Sequence, residues 1–237
     1  MSLALKRMTG IFLKDTKDGM RNLNVWLMPI IPLGLAVFYR TIMDAESLAF
    51  FTPALLLIVF GMSAGVTQSM MIAEEKEKNT LRMLMLTPAK PYEVLIGKAG
   101  VATLFTFVAT VIALLIFELS PADMLQVIVL SIPMFIIFLL LGTFVGLVSK
   151  NVSSASGLGL PIILLLSMFP LLTAGLDFAF IETISQGIAP VVYSELIISM
   201  MNEGWSATSA MNWLVLFIWL LATLVITYIA YRKNAYD

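Results

Sequence analysis

Hydrophobic residues in this chain come in long runs that hardly alternate with polar ones. A helix crossing about 30 Å of hydrocarbon needs about 20 apolar residues. Six runs reach that length, at residues 25–43, 54–73, 99–117, 125–148, 158–174 and 212–231. Pro29 and Pro32 lie in the first, Pro161 and Pro170 in the fifth. Proline is tolerated in a span where neighbours satisfy the freed carbonyls. The pattern predicts an all-α integral membrane protein with six transmembrane helices, residues 1–237 forming one transmembrane domain. Two stretches depart from it. In residues 1–24, Leu5, Met8, Ile11 and Phe12 recur at helical spacing among Lys6, Lys14, Lys17 and Arg21. That spacing predicts an N-terminal amphipathic interfacial helix with its ammonium groups among lipid headgroups. Charges run through these residues without a continuous apolar core, so no cleavable signal is expected. Residues 175–211 are mildly apolar but broken by Gly187 and Pro190, and predict short outer re-entrant helices between spans five and six.

Smaller signals punctuate the runs. Thr52-Pro53 and Ser120-Pro121 each place a hydroxyl at a predicted N-cap and proline at the first helical position. Asp123 adds a negative charge in the first turn, where it suits the helix dipole. Gly61/Gly65 and Gly142/Gly146 are small-xxx-small pairs that let helix backbones approach. They fit packing within the subunit or a dimer seam.

Composition narrows the classes. Of 237 residues, 60% are hydrophobic and 12% charged, with a mean hydropathy of +0.98. So few charges do not cover a soluble domain, which carries about 25%. A soluble enzyme, a disordered chain and a nucleic-acid binder are excluded. The chain has neither cysteine nor histidine. Disulfides, thiolate catalysis, Ser-His nucleophiles and histidine-held zinc or haem are therefore excluded. No catalytic residue, cofactor site or metal site is expected.

Charge placement orients the spans. Lys6, Arg7, Lys14, Lys17, Arg21, Lys76, Lys78, Arg82, Lys90, Lys98, Lys150, Arg232 and Lys233 all fall on the side of the two termini. Only Arg40 falls on the other, which carries Asp44, Glu46, Glu118, Asp123, Asp177, Glu182, Glu195 and Glu203. Basic residues mark the cytoplasmic face, so both termini of this multi-pass protein are expected there. No charge lies in the middle of a span, whereas ion-coupled transporters usually carry one. Ser63, Thr67 and Gln68 in the second span and Thr173 in the fifth are the candidate transport-pathway residues. Their alternative role is hydrogen bonding within the bundle.

Residues 74–98 differ from the rest. Glu74 and Lys78 are spaced i,i+4 in the favourable order. Leu81, Leu84 and Met85 form an apolar stripe, and Thr87-Pro88 ends the helix. A protruding helix with one apolar face suits docking into a groove on a partner; the alternative is a helix lying flat on the membrane. The run Glu75-Lys76-Glu77-Lys78-Asn79-Thr80-Leu81, then Leu84, Leu86-Thr87-Pro88, Glu93, Leu95 and Gly97-Lys98, resembles the signature of the ATP-binding-cassette (ABC) type-2 exporter permeases. It departs at Asn79, where glycine is usual, and at Arg82, where glutamate is usual. Asparagine tolerates the same left-handed turn, whereas Arg82 reverses a charge.

The resemblance implies a permease subunit in a bacterial or archaeal plasma membrane, paired as a homodimer or heterodimer and driven by two cytoplasmic ABC ATPase subunits. Residues 74–98 would form the cytoplasmic coupling segment. Within it, Glu74, Glu75, Glu77, Lys78, Thr80, Leu81, Arg82, Leu84, Met85 and Thr87 would engage the ATPase. Leu81, Leu84 and Met85 would fill its groove, and Glu77 and Arg82 would set polar contacts. ATP and Mg would act through that partner, because the chain has no GxxxxGK[ST] phosphate loop and is not expected to be an enzyme. The cargo implied is a drug, peptide, lipid or ion. The competing readings are a non-pumping immunity or sensor subunit and a secondary transporter or channel.

Overall fold

In hydrocarbon a backbone must satisfy its own hydrogen bonds, and uninterrupted helix does so. The computed structural model describes residues 3–78, 80, 91–173 and 184–234, and no strand occurs among them. Helix α1 (Leu3–Gly19) leads into α2 (Leu23–Ile42). Then α3 (Ala45–Val59), a π-helix (Phe60–Val66) and α4 (Thr67–Glu77) form one continuous rod. It is followed by α5 (Pro91–Ile116), α6 (Pro121–Val148), α7 (Val152–Thr173), α8 (Ala189–Glu203) and α9 (Ala210–Asn234). Six helices are long and apolar enough to cross a membrane: Val25–Ile42, Ser47–Glu77, Glu93–Ile116, Pro121–Val148, Val152–Thr173 and Ala210–Lys233. Each corresponds to one of the six apolar runs.

The second span is 31 residues long, longer than its apolar run implied. The cause is the cap. Asp44, not Thr52, closes the N-terminus, and its Oδ1 accepts the Ser47 N–H at 2.8 Å. Thr52-Pro53 lies inside α3, so that predicted start is corrected. Inside the helix, the Thr52 hydroxyl donates to the Leu48 carbonyl at 2.8 Å, one residue before the carbonyl that the proline ring leaves without its donor. The other predicted start holds. Ser120 Oγ accepts the Asp123 N–H at 3.2 Å, with Pro121 at the first helical position.

The second span is also the axis of the bundle. Of its most apolar window 83% is buried, against 22% for the fifth and sixth spans. Glycine makes this possible. A Cβ on Gly142 of α6 would lie 2.9 Å from the Cα of Gly65, and one on Gly146 would lie 2.7 Å from the Ser69 carbonyl. On the opposite side, Gly65 faces Ile163 of α7 and Gly61 faces Ser167. Both small-residue pairs therefore pack within this subunit. Towards the acidic end, α8 buries Val192, Tyr193, Leu196 and Ile197. The Tyr193 hydroxyl is hydrogen-bonded to Ser131 of α6 at 2.7 Å, and its ring meets Phe60 edge-on. At the same end, Arg40, the one exception to the charge pattern, pairs with Glu118 at 2.7 Å.

Outward faces are apolar: Ile30 and Phe38 of α2, Ile162 and Leu165 of α7, Phe217 and Ile218 of α9 are all exposed. Patches of this extent suit lipid or a partner rather than water. Helix α1 lies along the start of α5. Its Ile11 presses on Gly97 and its Phe12 on Gly100, where a Cβ would come within 3.0 Å of either side chain.

Candidate functional site

Consecutive helical residues point about 100° apart. Four in a row therefore sweep most of a circle, and the last turn of α4 uses that sweep. Glu74 accepts from Asn22 Nδ2 in the α1–α2 turn at 3.4 Å and from Lys78 Nζ at 2.5 Å. Glu75 Oε1 accepts from Lys98 of α5 at 2.8 Å and from Lys14 of α1 at 3.2 Å. Its Oε2 accepts the Thr80 hydroxyl at 2.7 Å. Lys76 Nζ donates to the Leu147 carbonyl in the last turn of α6 at 2.9 Å. Glu77 Oε2 accepts the Val152 N–H, the first of α7, at 3.0 Å. The last two bonds match the helix dipoles: a cation meets a C-terminus and an anion meets an N-terminus.

Beneath this turn lies a buried ion cluster. Lys98 and Asp15 side chains are only 3% and 4% exposed and sit 3.3 Å apart. Lys14 reaches Asp15 at 3.6 Å and Asp18 at 4.0 Å as well as Glu75. Two ammonium groups thus serve three carboxylates. Burial pushes the Asp15 carboxyl above its usual range, against the pull of the Lys98 ammonium. Lys14, partly desolvated, is held above its usual range by Glu75. A cavity of about 600 Å³ opens beside the cluster, lined by Asp18, Arg21, Glu74 and Lys78 among others.

Of the residues expected to engage a partner, Glu74, Glu75, Glu77, Lys78 and Thr80 all bond within the chain. Leu81, Arg82, Leu84, Met85 and Thr87, with the stripe they form, lie outside the described residues. Spacing and composition assign no role to Asp15, and none to Lys98 beyond the motif. A signal was present: Asp15 falls four residues after Ile11 and three after Phe12, on the apolar face of its helix. A carboxylate there calls for a buried cation. Gly97 of the same motif is the floor on which Ile11 rests.

The candidate pathway residues divide. Ser63, Thr67 and Gln68 are fully buried along the second span. Ser63 lies within the π-helix, and Thr67 Oγ1 donates to Met62 O, five residues back, at 3.3 Å. Gln68 Nε2 donates to Thr143 of α6 at 3.2 Å. Ser63 Oγ and Gln68 Oε1 find no hydrogen-bond partner among the described residues. Thr173 is half-buried at the end of α7 and donates to Phe169 O at 3.0 Å. It lies six residues beyond Ser167, the residue facing Gly61, or about 9 Å along the helix.

Six apolar helices around a buried axis, with most of the ion pairs at the α4 end and Arg40–Glu118 at the other, define a multi-pass helical membrane protein. Residues 10–229 match the family described as ABC-2 family transporter protein, and the chain belongs to that family. No curated protein matches it. The family supplies the membrane subunit of ABC transporters and generally works with ABC ATPase subunits, so this chain is a transport subunit and not itself catalytic.

Proposed function

We propose that this chain is the permease of an ATP-driven exporter, paired with a second permease copy or a related subunit. The observation that carries this reading is the continuous rod from Ala45 to Glu77, the most buried element, which leads directly into the motif segment. Residues 81–87 dock the cognate cytoplasmic ABC ATPase, with Leu81, Leu84 and Met85 in its groove. ATP and Mg act on that subunit. Both termini and the α4 end face the cytoplasm of a bacterial or archaeal cell, with α1 at the inner interface and α8 part of a re-entrant segment at the outer leaflet. A drug, peptide, lipid or ion moves outward past Ser63, Thr67, Gln68 and Thr173. The unpartnered Ser63 and Gln68 oxygens support this route. Leaving a buried polar atom unpaired costs about 1–3 kcal/mol, and π-helical segments gather at functional sites.

Co-expression with the cognate ATPase tests the reading. The wild-type pair should purify as one complex in detergent, and Leu84→Asp should separate it. Unchanged assembly and unchanged ATP hydrolysis in Leu84→Asp would refute the docking assignment.

A further inference from the structure

Within the motif run, Glu75, Lys76 and Glu77 bond to other helices of the bundle, while the Glu77 and Lys78 side chains remain exposed. Three neighbours, Glu75, Lys76 and Glu77, reach four other helices: α1 and α5, then α6, then α7. Those contacts join residues 61, 23, 71 and 75 positions apart in sequence. Two end on main-chain atoms at helix termini, where a displaced side chain must either drag the helix or lose its bond. The third ends on the Lys98–Asp15 pair, which is too buried for water to replace a lost partner cheaply. A cavity of about 600 Å³ lies between α1 and the α4 end.

We infer that Glu75, Lys76 and Glu77 are positioning residues of a transmission joint, which passes displacement of the coupling segment to α1, α5, α6 and α7. The inference rests on the docking reading above and divides the motif by task. Residues from Leu81 onward hold the ATPase, whereas Glu75, Lys76 and Glu77 hold the permease. Rotating the α4 end about its axis then pulls on the α6–α7 turn and on the α1–α5 pair together. An exposed acidic-basic run would deliver nothing to the bundle if its side chains were solvated or bound only to the partner.

The experiment uses the full complex in lipid nanodiscs. The chain has no cysteine, so Leu13→Cys on α1 and Ser153→Cys on α7 carry the only spin labels on the permease, provided the ATPase is rendered cysteine-free. The distance between them is read without nucleotide and after trapping with ADP and vanadate. In the wild-type background trapping should shift the distribution. Lys76→Met and Glu77→Leu should keep the ATPase bound and hydrolysing, yet lose that shift. Lys76→Arg and Glu77→Gln, which retain a donor and an acceptor, should restore it. The two sites report independently, so one variant failing to fold leaves the other to decide. A full shift in both Lys76→Met and Glu77→Leu overturns the joint. Loss of the ATPase from these variants also overturns it, because the residues would then be docking contacts. Dissociation by Leu84→Asp together with a full shift in both Lys76→Met and Glu77→Leu would leave the docking reading standing and the joint refuted.

Discussion

Replacing Gly142 by alanine should prise apart the seam on which the bundle is built. The added Cβ would sit 2.9 Å from Gly65 Cα and 2.8 Å from its carbonyl carbon. Carbon atoms pack at about 3.5–4.0 Å and the Gly65 carbonyl oxygen lies nearer still, so α6 and the π-helix must separate by about 0.7 Å or more. Nothing local can give way, because the obstacle is backbone. Inserting a methyl into a tight core costs about 1–3 kcal/mol, and a backbone obstacle favours the upper end. In a chain of this size that is a fall in melting temperature of about 5–10 °C. Gly157 of α7 is the control. A Cβ there meets nothing within 4 Å, and alanine gains about 1 kcal/mol over glycine in a helix interior. Purified variants in one detergent, heated and followed by size-exclusion chromatography, give the comparison. Gly142→Ala should melt well below wild type and Gly157→Ala at or slightly above it. Equal melting of Gly142→Ala and wild type would refute the seam and the close crossing behind it.

Three further outcomes follow from the same geometry. Lys98→Met leaves the buried Asp15 and Glu75 with only the half-exposed Lys14 as a cation, a loss smaller than the about 3–5 kcal/mol of a fully unpaired buried charge; Asp15→Leu added to it should recover part of the lost melting temperature, and an additive further loss would contradict the pairing. Asp44 is held below its ordinary value of 3.8 by the Ser47 N–H it caps. Its contribution to helix α3 is complete above that value and disappears as pH falls through the lower folded one, so the acid midpoint of helicity should rise in Asp44→Ala and stay put if the cap is idle. A cysteine at Asp123 should react with an impermeant thiol reagent added outside cells and one at Lys90 should not; the reverse pattern would invert the orientation.

Much of this architecture is legible along the chain. The six spans were readable because hydrocarbon offers a backbone no partner but itself, leaving long apolar helices as the answer. The glycine pairs were readable as close contacts because only glycine allows backbones so near. The start of the second span is not legible at Thr52-Pro53, because a proline inside a well-packed helix and a proline at its start look alike in sequence. The seven-residue π-helix left no pattern of its own, since its register shift is set by how α6 and α7 pack around it.

The helical class, the number of spans, the basic and acidic ends and the segment that carries the family motif are written along the chain. Those properties depend on local hydropathy, charge and short-range spacing. What the motif charges bond to depends on how the helices pack. Glu75, Lys76 and Glu77 look like a solvated run in one dimension. Their partners, Lys14, Lys98, Leu147 and Val152, lie far away in sequence and are brought round the α4 end by the packing of four helices. A charge pattern tells which groups need partners, and the fold supplies which ones they find.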